Sequence, residues 1–328
     1  MRLSFRRDPL LYGLSQILGL CTIGALCLGP EGFDPILFTA AGEGTGGAAH
    51  LILTEVRFPR VFLAILLGSA LGASGAVLQG LLRNPLADPG VVGVTASAGL
   101  GAVIAIGFGA GAGLAVPLAS MLGAGLGLLL VFLIARGGLN GATLILAGIA
   151  VNALAAAATS LVVNVAPTPM MLSDMVLWLL GSLAGTDTQD LKMVVAPAVI
   201  GIVLLSFTLK GLRALALGRE AATSLGLSET RLTVMALLGT ALSVGALVSV
   251  TGAVGFVGLV VPHLMRPLVR HDPGRLVQVS AVAGSILVLA ADTMLRVFIE
   301  GPALQLGVVT AFFGAPIFLI VALRGGRS

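Results

Sequence analysis

Long apolar runs, each about as long as a membrane crossing, are the feature that most restricts how this chain can fold. Residues 142–164 and 233–250, for example, contain no Asp, Glu, Lys or Arg. Over the whole chain 57% of residues are hydrophobic and 10% are charged, whereas charged residues make up about 25% of a soluble domain. The sequence therefore predicts an integral membrane protein.

These runs indicate helices rather than barrel strands. They are dense in Gly and Ala, with 46 glycines in the chain, and they lack the alternation of apolar and polar residues that barrel strands show. Small residues let neighbouring helices approach closely. We therefore predict an all-α integral membrane fold, a close-packed Gly/Ala-rich bundle of about ten transmembrane helices. All 328 residues form one transmembrane domain in this interpretation.

At about 20 residues per crossing, ten spans are predicted. They cover roughly residues 10–29, 61–82, 90–109, 114–135, 142–164, 190–209, 233–250, 256–270, 277–297 and 305–323. With the amino terminus in the cytoplasm, 14 of the 18 Lys and Arg residues fall on the inner side and 4 on the outer side. This asymmetry places both termini in the cytoplasm. The basic pI is then explained by the cations on the cytoplasmic side of the membrane. We therefore expect no nucleic-acid partner.

A basic segment, residues 209–231, interrupts the second half of the chain. It carries four of the 18 cations against two acids. The sequence predicts two short helices here, residues 209–217 and 219–225. Gly218 separates them and Gly226 ends the second. The apolar residues that recur at about helical spacing, and that we expect to pack together, are Leu212, Leu215, Ala216 and Leu225. The segment is either a solvated loop or a surface for a soluble partner.

Three of the outer cations, Arg57, Arg60 and Arg296, fall at the mouths of predicted spans. One interpretation is interfacial anchoring, with Arg296 paired to Asp292 one helical turn before it. The other is a cationic ring that receives acidic groups from a soluble partner. At the inner side, residues 83–90 contain two prolines and are predicted to form a rigid turn. On the outer side, residues 166–188 are predicted to contain an interfacial helix.

The chain lacks the usual reactive groups. Its three histidines are not spaced with other ligands as a metal site requires, and no phosphate-binding loop of the form G-x-x-x-x-G-K-[ST] is present. Cys21 and Cys27 lie about 240° apart around one helix and cannot bridge. Asp292 is the one acid placed deep in a span, so ion-coupled transport has little support. We therefore predict no catalytic residue, metal or cofactor in this chain. Any energy for transport must come from another chain.

Several stretches together resemble one family, the permeases of ABC importers for ferric siderophores, haem and cobalamin. They are SGAVLQGLLRNPLADPGVVGV (74–94), LALGREAATSLGL (215–227), TGAVGFVGLVVPHLMR (251–266), the Asp292-Thr293-x-x-Arg296 run and LGVVTAFFGAPIFL (306–319). The resemblance covers nearly all of the chain after the first span. It implies a ten-helix permease that works as a homodimer in the bacterial inner membrane. Two cytoplasmic ATPase subunits, which hold ATP and Mg²⁺, and a periplasmic binding protein would be its partners.

The resemblance also implies roles for particular residues. The residues that fall on the family's ATPase-coupling helices are Arg213, Gly218, Arg219, Glu220, Ala221, Leu225 and Gly226. The residues that fall where the family docks its binding protein are Arg57, Arg60 and Arg296. The residues that match the cytoplasmic gate are Asn84, Leu86, Gly141, Ala142 and Thr143.

The function expected from these observations is a non-catalytic permease subunit of an ATP-driven importer. It would move an iron chelate, haem or a ferric siderophore, from periplasm to cytoplasm by alternating access. Cobalamin is the alternative cargo within the same family. An ion-coupled secondary transporter is an alternative of another class, and a membrane scaffold or enzyme is a third.

Overall fold

The protein is described from a computed structural model. The structure describes residues 8–29, 32–34, 36, 39, 47–109, 113–298 and 304–325. Within them the chain is helical except for turns and one pair of two-residue antiparallel strands, β1 (Leu28–Gly29) and β2 (Gly32–Phe33). The predicted all-α membrane fold is thus confirmed. The predicted location of both termini involves residues 1–7 and 326–328, which lie outside the described residues.

A helix lies at each of the ten predicted spans. The α-helices, in chain order, are α1 (Pro9–Cys27), α2 (Ala48–Leu51), α3 (Phe58–Leu82), α4 (Val94–Gly107), α5 (Ala115–Ile134), α6 (Gly141–Asn164), α7 (Pro169–Leu180), α8 (Thr188–Phe207), α9 (Leu209–Ala216), α10 (Arg219–Ser224), α11 (Glu229–Thr251), α12 (Val257–Met265), α13 (Pro273–Phe298) and α14 (Leu306–Gly325). A π-helix (Ile52–Arg57) joins α2 to α3, and 3₁₀ turns follow α5 and α12. Helix α7 lies within residues 166–188, where an interfacial helix is predicted.

Seven continuous helical stretches among the described residues are long and apolar enough to cross a membrane. They comprise α1, α2 with α3, α5, α6, α8 with α9, α11 and α13. The span predicted at residues 256–270 is the least accurate, because α12 has only 9 residues. At 1.5 Å per residue that covers about half of the hydrocarbon layer. Positive φ angles at Gly252 and Phe256 delay its start, and Pro267 follows its end.

Helix α3 is the centre of the bundle. In the most apolar window of the α2–α3 stretch 78% of residues are buried, against 67% in α11 and 6% in α1. Helix α13 packs along α3 in the opposite direction, and the two backbones touch where small residues meet. A Cβ atom added at Gly68 or Gly72 would overlap the backbone of Gly284 or Ser280 respectively. Glycine is required at this crossing because any larger residue would separate the helices.

Ion pairs lie at both ends of α13. At one end, which we call the inner end, residues 83–90 follow α3 and the basic segment lies beside them. There Asp8, which caps α1, also pairs with Arg275 of α13 at 2.6 Å. At the opposite, outer end, Arg60 of α3 pairs with Asp292 of α13. The outer pair therefore fixes the register of α13 against α3, and the inner pair ties α13 to the start of α1.

Candidate functional site

The basic segment forms two short helices at the inner end, as predicted. Helix α9 and helix α10 are separated by Gly218, whose φ of 110° and ψ of 155° suit only glycine. Gly226, at φ 79°, lies just after α10. Because both breaks need glycine, the sequence determines where the two helices are interrupted.

Three contacts hold this segment to the bundle. The side chain of Arg213 pairs with Asp272, just before α13, with 2.9 Å between Nε and Oδ1. At the end of α3, Arg83 donates from Nη2 to the carbonyl oxygen of Leu215 at 2.9 Å. Arg219 pairs with Glu229 at the start of α11, also at 2.9 Å. The segment is thus tied to α3, α11 and α13 together, and a displacement of the segment would be passed to all three helices.

The carboxylate of Asp272 is the best-connected acid at this end. Burial alone would raise its pKa, but Arg213 and the backbone N–H groups of Gly274 and Arg275 donate to it and lower the pKa below its usual value. Asp272 therefore stays ionised and holds α9 against the start of α13.

The exposed side of the segment is more apolar than predicted. Leu212 and Leu215 are buried as expected. Ala216 and Leu225 were expected to pack with them, but both are exposed, and Leu225 is 67% exposed. Leu217, which the sequence analysis did not single out, is 71% exposed. For Leu225 the expectation was wrong because the break at Gly218 interrupts the helical periodicity of α9, which does not continue through α10. Glu220 is also exposed, and Ala221 is half-buried.

The turn after α3 is rigid, as predicted. Arg83 takes a left-handed conformation with φ 50°. The Asn84 side chain accepts a hydrogen bond from the backbone N–H of Leu86 at 2.9 Å. The Leu86 side chain lies at a small opening lined also by Leu259 of α12 and Phe318 of α14. The turn therefore contacts the short helix α12 and α14 at the inner end.

The second predicted gate stretch begins helix α6. Asn140 caps this helix, accepting from the backbone N–H and the hydroxyl of Thr143, both at 2.9 Å. Gly141 lies against the end of α3, because a Cβ added there would come within 3.3 Å of the Leu82 carbonyl oxygen. Ala142 is exposed. The two predicted gate stretches are neighbours in the fold, and their role as a gate stays a prediction.

Asp88 is an acidic residue of the same turn that the sequence analysis did not use. Its carboxylate accepts from the Gly90 N–H at 2.7 Å and lies against Gly258 of α12. Burial raises the pKa of Asp88 to about 6. A carboxylate that is partly neutral near pH 6 makes this turn sensitive to pH.

The three outer arginines are drawn into the protein. Arg60 makes a bidentate contact with Asp292, with Nε and Nη2 at 2.9 and 2.8 Å from its oxygens. Arg57 is only 7% exposed, pairs with Asp34 at 2.6 Å and donates to the Leu26 carbonyl. The expected pairing of Arg296 with Asp292 is therefore wrong, because Arg60 occupies that carboxylate.

Arg296 instead donates from Nη2 to the Ala25 carbonyl at the end of α1. Its Nε lies buried without a hydrogen-bond acceptor. The structure brings the three arginines together around the ends of α1, α3 and α13. They are less exposed than the sequence analysis expected, because Asp34 and Asp292 pair with two of them. Docking of a binding protein at this cluster stays a prediction.

No group of three or more His, Cys, Asp or Glu side chains that could hold a metal ion occurs within the described ranges. Both cysteines are free. The anchors Arg83 and Asp272 could not be recognised from the sequence, because each acts through a partner more than 50 residues away in the chain.

An all-helical membrane bundle with a two-helix segment at its inner end has the architecture of an ABC importer permease. Residues 17–324 match the model of the FecCD transport family. The chain belongs to this family, and it is a multi-pass protein of the bacterial inner membrane.

Curated relatives agree with this assignment. The chain is 38% identical to the cobalamin import system permease protein BtuC of Halobacterium salinarum, over 84% of this chain and 74% of that protein. It is 34% identical to the vitamin B12 import system permease protein BtuC of Salmonella typhi, over 97% of this chain and 95% of that protein.

Solved structures also share the fold. One, assigned to the metal-chelate type of ABC transporter in an inward-facing conformation, aligns with a TM-score of 0.85 at 29% identity, over 96% of this chain and 99% of that one. PsaBC from Streptococcus pneumoniae aligns with a TM-score of 0.53 at 17% identity, covering 80% of this chain and 88% of that one, and it shares the fold alone.

Proposed function

We propose that this chain is the permease of an ATP-driven importer that moves a metal chelate from periplasm to cytoplasm. The observation that carries the proposal is the basic segment: two short helices at the inner end, with Leu217 and Leu225 exposed and three polar contacts to the bundle. Exposed leucines do not stabilise a solvated loop, whereas they contribute to binding when they form a docking surface for an ATPase subunit.

In this mechanism ATP and Mg²⁺ are held by the ATPase subunits, and this chain contributes no catalytic group. Closure of two ATPase subunits moves α9 and α10. Arg213 and Arg83 pass that movement to α13 and α3, which exchange outward for inward access. Two copies of the permease enclose the pathway, with the inner turn and the start of α6 as its cytoplasmic gate. A periplasmic binding protein delivers the cargo at the cluster of outer arginines.

The proposed cargo is an iron chelate, haem or a ferric siderophore, which agrees with the metal-chelate type of the similar structure. Cobalamin is the second candidate, because the two relatives described above carry cobalamin and vitamin B12 in their names. Both cargos are bulky chelates. A transport pathway lined by Gly and Ala would let either cargo pass without binding it tightly.

Coupling is tested with Gly218→Pro in the permease co-expressed with its ATPase and reconstituted in vesicles. Proline cannot adopt φ 110°, so we expect ATP-dependent uptake to fall at least tenfold while ATP hydrolysis persists. Glu220→Arg on the exposed face of α10 should uncouple in the same way. Arg136→Gln, an exposed inner cation outside the basic segment, is the control. Uptake at the normal rate in Gly218→Pro would overturn the coupling role.

Cargo is tested in the same vesicles with the system's own binding protein outside. Haem, a ferric hydroxamate and cobalamin are supplied separately at equal concentration. ATP-dependent uptake of haem or the ferric hydroxamate supports an iron chelate as the cargo. Uptake of cobalamin and of neither iron chelate shows that cobalamin is the cargo. Uptake driven by an ion gradient in vesicles that lack the ATPase would overturn the importer itself.

A further inference from the structure

A cavity of about 600 Å³ lies at the inner end between α3, α9 and the start of α13. Its polar lining consists of Gln79, Arg83, Arg266 and His271. Its apolar lining includes Leu212, Leu215, Leu217 and Leu276. No carboxylate is among the described residues that line it. The cavity therefore combines two guanidinium groups and an imidazole with an apolar wall.

The two arginines of this cavity lack the acidic partners that other arginines at this end possess. Arg83 donates to a backbone carbonyl and Arg266 donates from Nη2 to Gln79 Oε1 at 2.7 Å. In the described part of the chain neither lies within ion-pair distance of an acid, whereas Arg213, Arg219 and Arg275 all do. A guanidinium has five N–H donors, so each keeps donors for a ligand. Arg266 is half-buried, and a partly buried cation without a counter-charge is costly.

Strained backbone surrounds the same cavity. Arg83, Arg270 and His271 have φ angles of 50°, 53° and 62°. They are three of the four non-glycine residues with positive φ among the described residues. Arg83 and Arg270 are the C-caps of α3 and of the 3₁₀ turn after α12, where left-handed conformations end a helix. Here they direct Arg83 and His271 into the cavity lining instead of allowing the helices to continue.

We propose that this cavity binds a phosphate-bearing anion, the headgroup phosphate of an anionic phospholipid from the inner leaflet. Basic pockets between transmembrane helices on the cytoplasmic side suit such headgroups, because the phosphate meets cations at the level of the membrane surface. Arginine matches phosphate oxygens with paired N–H donors. The part of the wall formed by Leu212, Leu215 and Leu276 accommodates the glycerol and the first methylene groups of the lipid.

A bound phosphate would also join two moving parts. Arg83 holds the Leu215 carbonyl of α9, and Arg266 holds Gln79 of α3. An anion between the two guanidinium groups would link the basic segment to the centre of the bundle. This consequence rests on the proposed coupling role, whereas the binding itself does not.

The test is native mass spectrometry of the purified full chain, titrated with phosphatidylglycerol or with phosphatidylcholine of the same acyl chains. We expect the wild type and Arg136→Gln to bind one phosphatidylglycerol with equal dissociation constants. Arg83→Gln and Arg266→Gln should each raise that constant at least tenfold. Phosphatidylcholine should bind more weakly and equally to all four. Equal phosphatidylglycerol binding by all four proteins would overturn the proposal.

Two further arms keep the result interpretable. Arg266→Lys retains the charge but not the paired N–H donors, so its dissociation constant should lie between those of the wild type and Arg266→Gln. A loss as large as in Arg266→Gln would overturn the charge argument. Inorganic phosphate, added alone, distinguishes the sources. Displacement of the lipid at millimolar phosphate shows that a free phosphate suffices, and failure of phosphate to displace the lipid shows that the lipid is the ligand.

A second variant is available if Arg266→Gln does not fold. His271→Asn, in which Asn tolerates φ 62°, should raise the dissociation constant for phosphatidylglycerol about threefold. No change in that constant would overturn the proposed lipid site.

Discussion

At the scale of single residues, the charges that matter are those that the fold removes from water. Asp292 is 2% exposed near the outer end of α13, where Arg60 of α3 pairs with it. Asp88 has no such cation and is stabilised by one backbone N–H group alone. The two carboxylates should therefore respond in opposite ways to mutation.

Removing the partner of Asp292 should be strongly destabilising. Arg60→Gln leaves a buried carboxylate unpaired, and such changes cost about 3–5 kcal/mol. The exchanged pair Arg60→Asp with Asp292→Arg should recover at least half of the lost thermal stability, measured as Tm of the purified permease.

The exchange also separates stability from docking. If the guanidinium at position 60 meets the binding protein, the exchanged pair should fold and yet bind that protein at least tenfold more weakly. An exchange that restores no thermal stability would show that the ion pair does not hold α3 to α13.

Asp88→Asn should stabilise the protein at neutral pH. Because burial raises the pKa of Asp88 to about 6 from 3.8, the folded state is penalised as pH rises from about 4 to 6. At 1.36 kcal/mol per pKa unit this amounts to at most about 3 kcal/mol. The Tm of Asp88→Asn should exceed that of the wild type at pH 7.5, and the difference should vanish near pH 4.

Asp272→Asn is the matched control for that titration. The pKa of Asp272 is lowered in the folded protein, so its contribution is present at neutral pH and lost as pH falls through the folded pKa. Asp272→Asn should therefore lower the Tm at pH 7.5 and have a smaller effect in acid. Parallel Tm curves for the two variants would contradict the environments described for both carboxylates.

At the scale of elements, the crossing of α3 and α13 depends on the absence of side chains. The glycines of α3 that lie on this crossing touch the backbone of α13 directly, and the contact has no space for a methyl group. Other glycines of the bundle, such as Gly125 of α5, have no atom within 4 Å of an added Cβ. Glycine content alone therefore does not identify which helices approach closely.

Gly72→Ala should destabilise the bundle, whereas Gly125→Ala should not. A Cβ at residue 72 would overlap the Ser280 carbonyl oxygen, and overpacking typically costs about 1–3 kcal/mol. A Cβ at residue 125 of α5 meets no atom within 4 Å. The effect on stability is measured as the Tm of the purified variants. We expect a clear loss of Tm for Gly72→Ala, and for Gly125→Ala a change in the free energy of unfolding within about 0.5 kcal/mol. Equal losses would show that general helix flexibility, and not the crossing, needs glycine.

At the scale of the whole molecule, the orientation in the membrane decides which partner can reach which end. The inner end carries the basic segment, and the outer end carries the arginine cluster paired with Asp34 and Asp292. The excess of cations at the inner end predicts that this end faces the cytoplasm.

Orientation is tested with single cysteines in a variant without Cys21 and Cys27. Thr223 on α10 and Gln189 at the start of α8 are both exposed. Thr223 lies at the inner end of the bundle and Gln189 at the outer end. A membrane-impermeant maleimide should label Gln189→Cys in intact spheroplasts and Thr223→Cys only after lysis. The reverse labelling would overturn the assignment of the inner end and with it the site of ATPase docking.

The sequence by itself determined the class of protein, the positions of its helices and the two-helix form of residues 209–231. These are local properties: apolar length sets a span, and Gly218 and Gly226 end helices wherever they lie. Only the tertiary structure decided which charges meet, because Arg60 with Asp292 and Arg213 with Asp272 join residues far apart in the chain. It also decided that Leu225 faces outward, since the direction of α10 depends on the angle at Gly218 and not on the spacing of leucines.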